Sequence, residues 1–99
     1  MLSRSRLGSI VEQHRHEIVA LVRAHHGRTV SVFGSVARGE DRVGSDIDFL
    51  IDFEPGSSLF DVMHLEDDLR RLLGCHVDVV SSGALLERDQ DIRRDAVAL

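Results

Sequence analysis

The chain contains no tryptophan and no tyrosine, only four phenylalanines, one cysteine and one proline, and all twelve of its basic residues are arginine. Few aromatics together with a formal net charge of −5 leave little to stack on bases or to neutralise a phosphate backbone, so a conventional nucleic-acid-binding surface is excluded. The lone Cys75 excludes an intramolecular disulfide; standing between Gly74 and a strand-like run, it reads as a small buried residue. No stretch approaches the roughly 18 apolar residues that a membrane helix requires, so no membrane association is expected. The basic start, Met1 to Arg6, is followed by Leu7 to Gln13, where charge soon interrupts the apolar residues, so no signal-peptide core forms and a cytoplasmic location is expected.

What is present is a sequence of 99 residues, 42% hydrophobic and 29% charged, enough for one domain with one core across 1–99. Leu7, Ile10, Val11, Ile18, Leu21 and Val22 recur at three and four, which predicts one helix from Leu7 to His25 with Gly27 as its stop. Thr29 to Phe33 alternates and is β-branched, the pattern of a strand that ends sharply at Gly34 and Ser35. A short helical turn and a polar loop lead to a second strand, Asp46 to Phe53. Here Ile47, Phe49, Ile51 and Phe53 share one face and Asp46, Asp48, Leu50 and Asp52 the other. Ser58 can cap a helix carrying Leu59, Val62, Met63, Leu69, Leu72 and Leu73, with Gly74 as its stop. A third strand, His76 to Val80, and a last helical segment from Ser82 through Leu85, Leu86, Ile92, Ala96 and Val97 complete the pattern. The expected fold is α+β in two layers: a small mixed sheet of about three to four strands with helices packed on it. The strand after the Leu59 to Leu73 helix should run parallel to its predecessor; the short loop before the second strand leaves that orientation open.

Asp46 and Asp48 project from one face of a strand, where two anions repel unless a cation lies between them. Hard divalent ions take carboxylate oxygens, and magnesium often needs only one or two because phosphates and water complete its shell. Gly34 and Ser35 form a tight turn whose amides and hydroxyl can cradle a phosphate chain, and Arg38 can offer its charge to the phosphates or pair with a nearby carboxylate. Asp78 sits in an apolar strand that reads as buried, so it calls for an arginine partner or a bound metal. The six histidines show no zinc spacing, and Arg70-Arg71 and Arg93-Arg94 read as solvated helix faces.

Gly34-Ser35-Val36-Ala37-Arg38-Gly39, a short loop and Ser45-Asp46-Ile47-Asp48 resemble the signature of the nucleotidyltransferase superfamily that includes DNA polymerase beta, specifically its minimal nucleotidyltransferase (MNT) branch. Asp78 matches the place of the family's third acid, and the likeness runs from Val30 through Val80. The resemblance implies that Asp46 and Asp48 ligate metal, that Asp78 ligates the catalytic metal and helps activate the acceptor, and that Gly34 and Ser35 bind the triphosphate with Arg38 in support. It further implies two magnesium ions, ATP as substrate, and an antitoxin that adds AMP to a tyrosine hydroxyl of a helical HEPN-type ribonuclease toxin. Two alternatives stay open: a non-catalytic subunit that masks the toxin, and the catalytic subunit of a two-chain enzyme acting on a small molecule.

Overall fold

Alternation in the second strand decides which way the sheet faces. In the computed structural model, which describes residues 2, 5–85 and 89–99, Ile47, Phe49 and Ile51 of β2 (Ile47–Phe53) are fully buried while Asp48 is only half-buried. β1 (Gly27–Phe33) pairs antiparallel with β2, in a register that runs from Thr29 opposite Asp52 to Phe33 opposite Asp48. β3 (Val77–Ser81) lies parallel to β2 with Ile47 opposite Val77 and Asp48 opposite Asp78. The orientation left open by the sequence is therefore antiparallel, and the expected parallel crossover is present.

A two-residue strand, β4 (Val97–Ala98), pairs antiparallel with β1 and completes the sheet order β3-β2-β1-β4. It replaces the end of the expected last helix. That segment forms a 3-10 turn (Ser82–Ala84), then a short helix, leaving Ala96 extended; Leu86 lies outside the described residues. Pairing with the free edge of β1 outweighs weak helical periodicity, and the Leu99 amide donates to the Val30 carbonyl at 3.0 Å.

Most of the helices cover one face. α1 (Arg6–Gln13) and α2 (Arg15–Ala24) are two helices where one was expected. At the break, the His14 ring Nδ1 donates to the Ile10 carbonyl at 2.9 Å, a local bond that competes with the helix ladder. The apolar stripe nevertheless continues across the break, so Val11, Ile18 and Val22 all reach the core. α3 (Gly34–Arg38) follows β1, and α4 (Leu59–Leu73) crosses from β2 to β3. The Ser58 amide donates to Asp61 at 2.8 Å, and Gly74 ends α4 in the left-handed region. The buried stripe of α4 is Leu65, Leu69 and Leu73; Leu59 and Met63, expected on the apolar face, lie off that period and stand 71% and 52% exposed. The last helix is α5 (Gln90–Asp95). No helix among the described residues is long and apolar enough to cross a membrane.

Gly27 is not the stop of α2. His26 takes the left-handed conformation instead, at φ 68, with its carbonyl accepting from the Glu54 amide and its ring paired to Asp61 at 3.1 Å. Gly27 is buried at the start of β1, where a Cβ would press on the Val22 side chain and meet the Val22 carbonyl oxygen at 2.9 Å. Gly27→Ala is therefore expected to destabilise the fold by about 1–3 kcal/mol, measured by urea unfolding; an unchanged midpoint would show that α2 shifts freely over the sheet.

Candidate active site

β1 passes directly into α3 through Gly34, whose φ of 73 lies in the left-handed region. Because Phe33 is opposite Asp48, Gly34 comes up against that carboxylate: a Cβ built on Gly34 would collide with Asp48 Oδ2. Gly39 ends α3, and the loop beyond it is tied down twice. The Leu7 amide donates to Asp41 at 3.2 Å, and the Arg42 amide donates to Ser45 Oγ at 2.7 Å. The loop thus delivers Asp46 to the start of β2, two residues before Asp48. On the adjacent strand, Asp78 stands in register with Asp48. The three carboxylates share the sheet face turned away from α1, α2 and α4, at the end where β1 stops and β2 and β3 begin.

Asp78 is exposed, contrary to the expectation of a buried acid. β3 is an edge strand that packs one face only, through Val77, so Asp78 keeps its water and needs no counter-charge to be tolerated. Among the described residues it forms no salt bridge. Asp48 is different: burial first, then the negative charges of Asp78 and Asp46, push its carboxyl up to about 6, with the Arg38 cation pulling the other way. The proton affinity of Asp48 reflects its burial first and, beyond that, neighbouring negative charges that Arg38 offsets only in part. Oxygen donors of like charge suit a hard divalent cation. Among the described residues no three His, Cys, Asp or Glu side chains are placed to hold one metal ion between them; the aspartates line an open face, which suits an ion that takes one or two carboxylates and completes its shell from phosphate and water.

Of the two roles open to Arg38, the structure displays the pairing. Its Nε is 3.2 Å from Glu40 and its Nη1 3.4 Å from Asp95, which ties α3 to α5. Ser35 is half-buried in the first turn of α3, with its carbonyl accepting the Glu40 amide at 2.8 Å. Along the same sheet face a cavity of about 470 Å³ continues past Ser31 and Leu50 to Asp52, bounded by Ser82 and Arg93. Two of the histidines are engaged elsewhere. His25 pairs with Asp68 at 2.7 Å and His26 with Asp61, both joining the end of α2 to α4.

The sequence reading missed the side chains that border the site from other elements. Asp95 is one, 57 residues from the Arg38 it holds. Glu66 and Arg70 are others: they reach from α4 to the outer edge of β3, and so Arg70 is more than a solvated helix face. Their i, i+4 spacing was the available signal. Cys75 is half-buried against the core, where burial pushes its thiol up, in line with a structural role.

The nucleotidyltransferase domain family matches residues 11–97. The chain is 41% identical over 86 residues to protein adenylyltransferase MntA of Thermococcus cleftensis, a match covering 86% of this chain and 83% of that protein. A solved structure assigned as a minimal nucleotidyltransferase superposes with a TM-score of 0.85 at 40% identity, covering 98% of this chain and 99% of its own. A chain in the structure of a tri-AMPylated Shewanella oneidensis HEPN toxin in complex with MNT antitoxin shares the fold, with a TM-score of 0.67 at 18% identity over 88% of this chain and 69% of that one.

Proposed function

The chain belongs to the nucleotidyltransferase domain family, and from that membership we propose that it transfers AMP from ATP to a hydroxyl, a tyrosine's, on a partner HEPN-type toxin and so acts as its antitoxin. The observation that carries the reading is the union of Asp48 and Asp78, in register on one face beside the Gly34 turn, where burial and the neighbouring acids hold the Asp48 proton to about 6. The MntA relative, a protein adenylyltransferase by name, supports AMP as the transferred group. The tri-AMPylated HEPN toxin bound by an MNT antitoxin supports the choice of acceptor.

In this reading Gly34 and Ser35 hold the triphosphate through backbone amides and the hydroxyl, with Arg38 lending charge from one turn away. Asp46 and Asp48 would hold one magnesium ion, and Asp48 with Asp78 a second. Bound there, magnesium would lower the pKa of the attacking hydroxyl and neutralise charge on the departing pyrophosphate. Exposed and free of ion pairs among the described residues, Asp78 would face the incoming acceptor. The acceptor hydroxyl gives up its proton to solvent, its oxygen bonds to the α-phosphorus, the bond to the bridging oxygen of the β-phosphate breaks, and pyrophosphate leaves with that electron pair. Co-expression with the product of the neighbouring gene, followed by intact-mass measurement of that product, tests the proposal. A gain of whole AMP units is expected; an unmodified partner that is nonetheless inhibited would favour the masking subunit.

The acidity of Asp48 makes a second prediction. Without magnesium the folded chain keeps the Asp48 proton up to about 6, whereas the unfolded chain loses it in the ordinary carboxylate range. The folded state binds the proton more tightly, so melting temperature should fall as pH rises through that window. Asp48→Asn should flatten the fall. Magnesium should bind more tightly as pH rises through the same window, because the proton stops competing for the site. Calorimetric melts with and without magnesium read both effects, and an equal slope in Asp48→Asn would remove this carboxyl as their source.

A further inference from the structure

Asp78 is flanked by two peptide groups that point away from the sheet, and both are taken by one ion pair on α4. The Val79 amide donates to Glu66 Oε2 at 3.0 Å. The Val77 carbonyl accepts from Arg70 Nε at 3.2 Å and Nη2 at 3.1 Å. The same Arg70 Nη2 lies 2.9 Å from Glu66 Oε1, closing a ring of contacts around the backbone of residues 77–79. By strand alternation the N–H and C=O of Asp78 itself turn the other way, toward β2, where Asp78 lies opposite Asp48. The backbone at Asp78 is therefore gripped on both sides of an edge strand.

We propose that Glu66 and Arg70 are positioning residues for the transfer reaction, clamping Val77 and Val79 so that the exposed Asp78 carboxylate keeps its place opposite Asp48. An edge strand needs its outer groups covered against stray pairing. Here the cover coincides with the two peptides that aim an acid whose own side chain has no ion-pair partner among the described residues. Among the described residues it is the backbone contacts of Val77 and Val79 that hold Asp78 in place. The triphosphate is held from the other strand, at Gly34 and Ser35, so loosening β3 should disturb the reacting geometry and spare nucleotide binding.

The inference rests on the reading of Asp78 as a catalytic residue, and the test separates the two. Wild type, Asp78→Asn, Glu66→Ala, Glu66→Gln and Arg70→Lys are compared in transfer of label from the α-phosphate of ATP to the co-purified partner, and in amide exchange at Val79, which needs neither metal nor substrate. Glu66→Ala should expose the Val79 amide at least roughly tenfold and lower kcat by about tenfold or more, since small misplacement near reacting atoms is costly, with KM for ATP unchanged. Glu66→Gln keeps a carbonyl oxygen for the Val79 amide and should recover much of both. Arg70→Lys keeps the charge but loses the fork on the Val77 carbonyl, and should lower kcat with KM unchanged; it decides the matter alone if Glu66→Ala does not fold. Wild-type kcat alongside a freely exchanging Val79 amide would overturn the clamp while leaving the role of Asp78 intact. Full activity of Asp78→Asn would instead overturn the reading on which the clamp depends.

Discussion

Asp78→Asn is expected to lower AMP transfer by two or more orders of magnitude, the scale of several kcal/mol lost when a metal-activated nucleophile loses its ligand. The variant should melt at the wild-type temperature or above it. Asp78 is exposed, packs into no core and forms no ion pair among the described residues, while its charge contributes to the repulsion at Asp48. Removing that charge leaves no buried partner uncompensated, which is the usual source of large losses when one acid of a pair is deleted. ATP affinity should survive, because the triphosphate is assigned to Gly34, Ser35 and the ion on Asp46 and Asp48. Melting temperature, ATP binding and partner modification measured on one preparation decide the matter, and a folded Asp78→Asn with wild-type transfer would sink the three-carboxylate mechanism.

Gly34→Ala should be nearly as damaging, for a reason the sequence alone did not supply. The turn was read as glycine because phosphate must approach the backbone. The structure adds that Gly34 sits at φ 73 and that a Cβ there would collide with Asp48 Oδ2. Alanine incurs about 1–2 kcal/mol of left-handed strain and must also displace a carboxylate with a raised proton affinity. Transfer should fall by roughly a hundredfold, the scale associated with ångström misplacement of a reacting group. A double-mutant cycle isolates the collision: in an Asp48→Ala background the same substitution should cost only the backbone strain, so the two stability losses should not add. Additive losses would mean that the carboxylate swings clear at no cost.

Much of the candidate site was legible because its residues lie in three short segments with strong local rules. The alternation of β2 assigned Asp46 and Asp48 to one face, and the valines around Asp78 marked its strand. Gly34 and Ser35 punctuated the end of β1. What stayed hidden depends on partners distant in sequence. The exposure of Asp78 follows from the edge position of β3, which the sheet order sets and the apolar run does not reveal. The contact between Gly34 and Asp48 follows from the register of β1 on β2. β4 escaped because two residues carry no periodicity, and only the open edge of β1 gives them a reason to be extended. The break at His14 likewise depends on a ring-to-carbonyl bond that spacing cannot show.

The pleat of β2 links stability to chemistry in a way that constrains errors. Ile47, Phe49 and Ile51 fill the core because they alternate with Asp46, Asp48 and Leu50, and a slip of a single residue would exchange the two sets. Such a slip would drive carboxylates against α2 and α4 and turn Phe49 to water. A misregistered copy would therefore be both inert and unstable, and would unfold instead of persisting as a well-packed but inactive molecule. The packing of three apolar side chains thus acts as a proofreading step for the placement of the acids, and the fraction of chains that fold should equal the fraction able to react.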